Sequence, residues 1–174
     1  MIFSCFSLLK IDIFAFKLKV MIQRIQTVYL LIAEMLIGAL FFVPFADIVG
    51  KDGNIYRFDI KGIALEGAQK PEIIYSSLPL IVLCAISVLL IVVTIYQFKN
   101  RILQMKLSKL CIFVILGLIG LIYYYLSSGA KVLSGTYSLN IYFVFPAIAA
   151  ILIYMAIRAI HKDELLVRSI DRIR

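Results

Sequence analysis

Charge is scarce in this 174-residue chain: 16% of its residues are Asp, Glu, Lys or Arg, whereas 63% are hydrophobic. Soluble domains carry about a quarter charged and about a half apolar residues, so composition excludes an ordinary water-soluble fold. Histidine occurs once, as His161, and cysteine three times, as Cys5, Cys84 and Cys111. One histidine without cysteine neighbours excludes the usual zinc spacings. An odd cysteine count, with two thiols inside apolar runs, gives no disulfide framework. The apolar runs also lack paired acids or a Ser or Cys beside a base, so no enzyme and no cofactor are expected. Cys84 and Cys111 read as small packing residues, and His161 as a solvated interfacial side chain.

What is present is hydrocarbon-like sequence in long blocks, with a mean hydropathy of +1.03. Four blocks, 27–46, 78–98, 107–126 and 139–160, each approach the roughly 20 residues that span a bilayer core. The start of the third is the least sharp, because Ser108 and Lys109 leave an unbroken apolar core only from Leu110, with Lys109 free to snorkel. The expected fold class is therefore an all-α membrane protein with four transmembrane helices in one domain.

The net charge of +8 and pI near 9.5 would suggest nucleic acid in a soluble protein. No basic motif with interleaved aromatics is present, and cytoplasmic loops of membrane proteins collect cations anyway. Of the 18 Lys and Arg, thirteen fall ahead of the first block, between the second and third, after the fourth, or, as Lys109 and Arg158, in the block ends that adjoin those segments. Only Lys51, Arg57, Lys61, Lys70 and Lys131 fall on the other side. Both termini are expected in the cytoplasm, which points to a multi-pass protein of a cell inner membrane whose partners are the lipid bilayer and, as an option, another membrane protein. No oligomeric state follows.

Aromatic clusters at Phe41, Phe42 and Phe45, at Tyr123, Tyr124 and Tyr125, and at Tyr142, Phe143 and Phe145 all fall near the expected outer interface. Pro44, Pro79 and Pro146 fall in the outer parts of the blocks, where they mark helix ends or a gating kink. Gly117 and Gly120 read as small residues for helix packing. Between the first two blocks, Asp52-Gly53 carries a type I′ hairpin signal and IYRFDIK at 55–61 alternates with period two. A short β-hairpin-like outer loop is expected, with Ile48 and Val49 on its first arm and Tyr56, Phe58 and Ile60 sharing a face. That face docks on its own helix ends or on a partner. Residues 127–138, with SSGA and SGTY, read as a flexible turn.

At the C-terminus, HKDELLVRSIDRIR either continues the fourth helix or restarts as an amphipathic helix along the inner surface, with Glu164 four residues before Arg168. Its internal KDEL is not a retrieval signal. Residues 1–20, MIFSCFSLLKIDIFAFKLKV, fit a cleaved signal peptide poorly. They read as an interfacial segment or as translated sequence upstream of a native start at Met21. MIQRIQTVYLL at 21–31, together with HKDELLVRSIDRIR at the end, resembles a family of small bacterial four-helix membrane proteins, domain of unknown function 4293. That resemblance covers 21–174 and implies four membrane helices, an outer loop after the first, and no assigned activity. It favours the start at Met21, with 1–20 as an N-terminal extension.

One acid interrupts the apolar blocks. Glu34 sits about 10 Å along the first helix at 1.5 Å per residue. A charge there costs on the order of 3 kcal/mol, so the side chain should face the interior and be protonated or partnered. By depth, the candidate partners are Tyr154, Arg158 and Thr94. Glu34 then fixes helix packing, handles protons or cations, or meets another protein's helix. A transporter usually shows several polar or broken positions at midplane. A structural, assembly or interaction component is therefore the leading expectation, with a small proton- or cation-handling transporter using Glu34 as the alternative.

The orientation is checked by reporter fusions. Fusions after Lys106 and Arg174 should report the cytoplasm and one at Gly62 the outside, and an external signal at Lys106 would reverse the topology.

Overall fold

The computed structural model describes residues 25–65, 73–98 and 100–171. Within them the chain is mostly helical, with a small antiparallel sheet over one end of the helices. Helix α1 (Ile25–Ala39) leads into strands β1 (Ala46–Val49), β2 (Ile55–Asp59), β3 (Gly62–Leu65) and β4 (Ile73–Ser76). Helices α2 (Leu78–Tyr96) and α3 (Arg101–Val132) follow, then strand β5 (Thr136–Leu139), a 3-10 turn at Ile141–Val144 and helix α4 (Phe145–Asp171). Three of the helical segments, Leu78–Tyr96, Arg101–Val132 and Ile141–Leu165, are long and apolar enough to cross a membrane.

Each helix turns one stripe inward. The buried positions are Leu30, Ala33 and Ile37 on α1, Leu80, Cys84, Ser87 and Ile91 on α2, and Ile115, Leu118 and Ile122 on α3. On α4 they are Ala149, Ile153, Ala156 and Ile160. Steps of three and four residues are what one face of a 3.6-residue helix requires. Helix α1 packs against α2 and α4, and α3 against the same two. Because α1 and α3 run toward the sheet and α2 and α4 away from it, residue 25, the α2–α3 connection and Asp171 share the end far from the sheet.

The sheet has the order β4-β3-β2-β1-β5, with every pair antiparallel. The expected hairpin is its centre. Val49 pairs with Ile55, Gly50 donates to Asn54 at 3.0 Å, and Gly53 donates to Gly50 at 3.1 Å. Of the loop residues only Gly53 has positive φ, at 74°. The loop is thus a three-residue one ending in a left-handed glycine rather than the two-residue type I′ turn that Asp-Gly suggested. Tyr56, Phe58 and Ile60 are buried as expected. Phe58 meets Phe45 edge-on with centroids 5.5 Å apart, a contact contributing about 0.5–1.5 kcal/mol beyond burial. The apolar face docks on the chain's own helices: Ile48 and Ile63 lie over Gly129 of α3, so closely that a Cβ there would meet Ile63 Cδ1. Ser77, just before α2, ties sheet to helix by donating Oγ to the Ile60 carbonyl at 2.8 Å.

Several expected boundaries move. The first block ends as helix at Ala39, where three i→i+3 bonds close residues 40–42, and Ala46 already belongs to β1. Phe45, expected at an interface, is instead 1% exposed in the core. The third block is far longer than 107–126. It starts at Arg101, where the Asn100 side chain accepts from the Leu103 N–H at 3.4 Å, and runs 32 residues to Val132, leaving the tyrosine triplet well before its end. The fourth begins as the 3-10 turn, Leu139 being the last residue of β5. Pro79 and Pro146 fall in first helical turns and Pro44 between α1 and β1, so the prolines sit at ends. A Cβ on Gly117 or Gly120 would meet nothing within 4 Å, so neither glycine brings helices together. The C-terminal segment continues α4 as far as Asp171; the pairing of Glu164 with Arg168 and the readings of 1–20 fall outside the described side chains and residues.

The expected flexible turn is a built corner. Ser134 N–H bonds the Lys131 carbonyl at 3.2 Å and Gly135 N–H the Ala130 carbonyl at 3.0 Å, the paired bonds of a Schellman motif. Ser134 occupies the left-handed position at φ 45°, usually glycine's. Gly135 lets β1 approach: a Cβ would strike the Val49 carbonyl and lie 3.1 Å from Gly50 Cα. Beyond it, β5 pairs with β1 from Val49↔Thr136 to Ala46↔Leu139. Asn140 donates Nδ2 to Asp47 Oδ2 at 3.2 Å.

Gly135→Ala should therefore lower stability by about 1–3 kcal/mol, because the obstacle is backbone that cannot repack. Gly117→Ala should cost nothing. Thermal unfolding followed by circular dichroism compares them, and equal midpoints would contradict this account of the corner.

Candidate functional site

The inward stripes are not uniform along their length. Near the sheet they are wholly apolar: Ile37 and Leu40, Leu80, and Ile122 and Leu126 are each 0% exposed. Toward the far end the same stripes turn polar, with Gln26 and Thr27 on α1, Ser87 and Thr94 on α2, and Gln104 and Ser108 on α3, all buried. Register across the helices places the far-end groups at similar levels. Cys84 Sγ lies 3.9 Å from the Ile37 carbonyl, and ten residues below that contact on each helix come Thr94 and Thr27. Arg101 Nη1 donates to the Asp163 carbonyl at 3.1 Å, so Gln104 is about level with Ile160.

Three of the hydroxyls are satisfied within their own helices. Ser87 donates to Leu83 at 2.8 Å, Thr94 to Leu90 at 2.7 Å and Ser108 to Gln104 at 2.9 Å, each to the carbonyl four residues back. Such bonds remove a donor from a cross-helix network. The carboxamides differ. Among the described residues, neither Oε1 nor Nε2 of Gln26 or of Gln104 has a hydrogen-bond partner, although both side chains are buried. Buried amides left unpaired cost about 1–3 kcal/mol each in mutational data.

Glu34 stands at the edge of the α1 stripe, next to Ala33, half-buried, with Oε2 turned into the interior and without a hydrogen-bond partner among the described residues. Of its three candidate partners, Thr94 alone is an interior residue, at 0% exposed. Its hydroxyl, however, is given to Leu90 and faces Cys111 Sγ at 3.6 Å. Tyr154 is 55% exposed and Arg158 is exposed. The reason is angular. Ala149, Ile153, Ala156 and Ile160 form the buried stripe of α4, and Tyr154 and Arg158 fall off it at about 100° per residue. Depth arithmetic matched the levels and missed the rotation.

Matching comes from the sequence family as well. One family model covers residues 22–173, nearly the whole chain, under the description "Domain of unknown function (DUF4293)". The chain belongs to that family. No curated protein matches it. As a DUF4293 member it carries its polar interior wholly within the matched region, Gln26 through Cys111 included. Among the described residues, no three His, Cys, Asp or Glu side chains come together as a metal site needs.

Sequence reasoning missed Gln26 and Gln104. The signal was available: Gln104, Ser108 and Cys111 continue the spacing of Ile115, Leu118 and Ile122 back past the apolar block, so the inward stripe of α3 could be extended into its polar start.

Gln104→Leu removes two unpartnered polar atoms while keeping similar volume. It should raise stability by about 1–2 kcal/mol. A lower unfolding midpoint would instead mean that the carboxamide is bonded in the working protein.

Proposed function

We propose that this DUF4293 protein is an integral protein of a bacterial inner membrane, crossing it four times as a helical bundle, with its sheet outside and both ends of the chain in the cytoplasm. It acts there as a structural, assembly or interaction component. The membrane setting is supported by the exterior of the long helices, where Val82, Leu89, Phe113, Leu116 and Ile151 are more than half exposed. An apolar exterior over whole helices suits lipid rather than water. Helix α1 has 15 residues, about 22 Å, to which residues 40–42 add about 6 Å as 3-10 turns, close to a thin hydrocarbon core. The far end gathers Arg101, Lys106, Lys109, Arg158 and Lys162, which supports its assignment to the cytoplasm.

The observation that carries the interaction role is β5. It is the last strand of the sheet, and all four of its side chains, Thr136 to Leu139, are exposed. An edge strand of this kind offers unpaired backbone groups to an added strand. The reading gives the protein no catalytic step and no cofactor, and its partners are the bilayer and a second membrane-associated protein.

A second reading, proton or cation handling, draws support from the unpartnered Oε2 of Glu34. Its weakness is the apolar plug between Glu34 and the sheet, which leaves no polar path onward.

A photoreactive residue at Tyr137 tests the first reading. It should give one discrete protein adduct in cells, absent when the same group replaces Tyr124 on the exposed face of α3. Identical adducts at both positions, or none at Tyr137, would reject it. Proteoliposome flux that disappears in Glu34→Gln would establish the second reading in its place.

A further inference from the structure

At the far end, α3 and α4 pack on each other, with Arg101 bonded to the Asp163 carbonyl, and their outer faces leave a concavity. Between them lies a groove of about 550 Å³ whose lining includes Met105 and Lys109 from α3 and Ile157, Arg158, Lys162 and Leu165 from α4. Spacing explains the convergence: Met105 and Lys109 are four apart, and Arg158, Lys162 and Leu165 follow at four and three, so each set shares a helix face. Three cations therefore meet one apolar wall, and among the described residues no carboxylate lines this groove. Glu164 lines the smaller adjoining groove with Ile102.

Topology alone places cations at this end, but it does not gather three of them into one concavity. Arg101 shows the contrast, since its guanidinium is engaged by the Asp163 carbonyl. Among the described residues, Lys109, Arg158 and Lys162 make no such bond or ion pair. Their level also matters. From Lys109 to Val132, α3 rises about 35 Å, slightly more than the roughly 30 Å hydrocarbon core. On the membrane reading, which this inference depends on, Lys109 lies at the headgroup boundary. Toward the sheet, α3 exposes Phe113, four residues on from Lys109, and α4 exposes Ile151, seven residues before Arg158, apolar side chains on the same helix faces that suit an acyl chain.

We propose that the groove between α3 and α4 binds one anionic phospholipid, its phosphate held by Lys109, Arg158 and Lys162 and its acyl chains laid along Met105 and Ile157. Charge complementarity selects the anionic headgroup, and the adjoining apolar wall favours a lipid over a free phosphate. Arg158 suits the role through its planar fork, which can engage two phosphate oxygens at once.

The test uses the full chain, purified in a neutral detergent, with phosphatidylglycerol and phosphatidylcholine as probes and native mass spectrometry as the readout. The wild type should retain one phosphatidylglycerol and release phosphatidylcholine. The triple substitution Lys109→Gln, Arg158→Gln, Lys162→Gln should weaken phosphatidylglycerol retention about a hundredfold, while Lys51→Gln with Lys61→Gln at the sheet end should leave it unchanged. Equal retention of both lipids, or full retention by the triple variant, would overturn the site. Displacement by equimolar inorganic phosphate would make it a phosphate site and would also overturn the proposal. If the triple variant does not fold, a photoactivatable phosphatidylglycerol on the wild type decides: crosslinks confined to 105–113 and 151–165 support the groove, and crosslinks spread over all helices reject it. A chain that needs no detergent would sink the membrane reading itself, whereas a detergent-requiring chain without lipid preference would sink only this site.

Discussion

Solvation of the helix exteriors is the constraint on which the rest depends. The outward faces of α2, α3 and α4 are as apolar as the inward ones: Leu89 is 63% exposed and Phe113 76%, while Ile91 and Ile115 on the same helices are buried completely. In water such a surface would drive association, because every exposed apolar side chain has a transfer free energy to recover. In lipid it costs nothing, and helix association then rests on shape, small residues and polar contacts. The inward stripe of α4 fits that second regime, since Ala149 and Ala156 alternate with Ile153 and Ile160 and let neighbouring helices come close.

The sheet answers a different requirement. Four antiparallel strands lie between α1 and α2, and β5 covers the edge of β1 by returning beside it after α3, becoming the edge strand itself. This return depends on a corner with no spare volume: a Schellman cap at Val132–Gly135, a left-handed Ser134, and a glycine against the Val49 carbonyl. Beneath the sheet, Phe45, Phe58, Ile48 and Ile63 seal the interior. At the other end the interior is polar and incompletely bonded among the described residues, so the helices enclose a gradient from an apolar cap to a polar base. Glu34 stands part-way along it.

Much of this was legible in the sequence where the determinant was local. The block 78–98 became α2 at Leu78–Tyr96, because a continuous apolar run with Pro79 in the first turn leaves little choice. Period-two alternation correctly put Tyr56, Phe58 and Ile60 on one buried face. What could not be read was non-local. β5 is a strand only because β1 lies beside it, and the length of α3 exceeds its apolar block because helix continues through Lys106 and Lys109 at one end and Ser127–Lys131 at the other. For the polar site, hydropathy found Glu34 but not its surroundings. Tyr154 and Arg158 matched in depth yet sit off the buried stripe of α4, whereas Gln26 and Gln104 lay outside or at the edge of the hydrophobic blocks and drew no attention.

The measurement that tests the account most directly is the partitioning of the expressed chain after an alkaline carbonate wash of whole-cell membranes. Lipid-solvated helices predict that the protein stays in the membrane pellet and is released only by detergent. Recovery in the aqueous supernatant as a folded, dispersed species would contradict it.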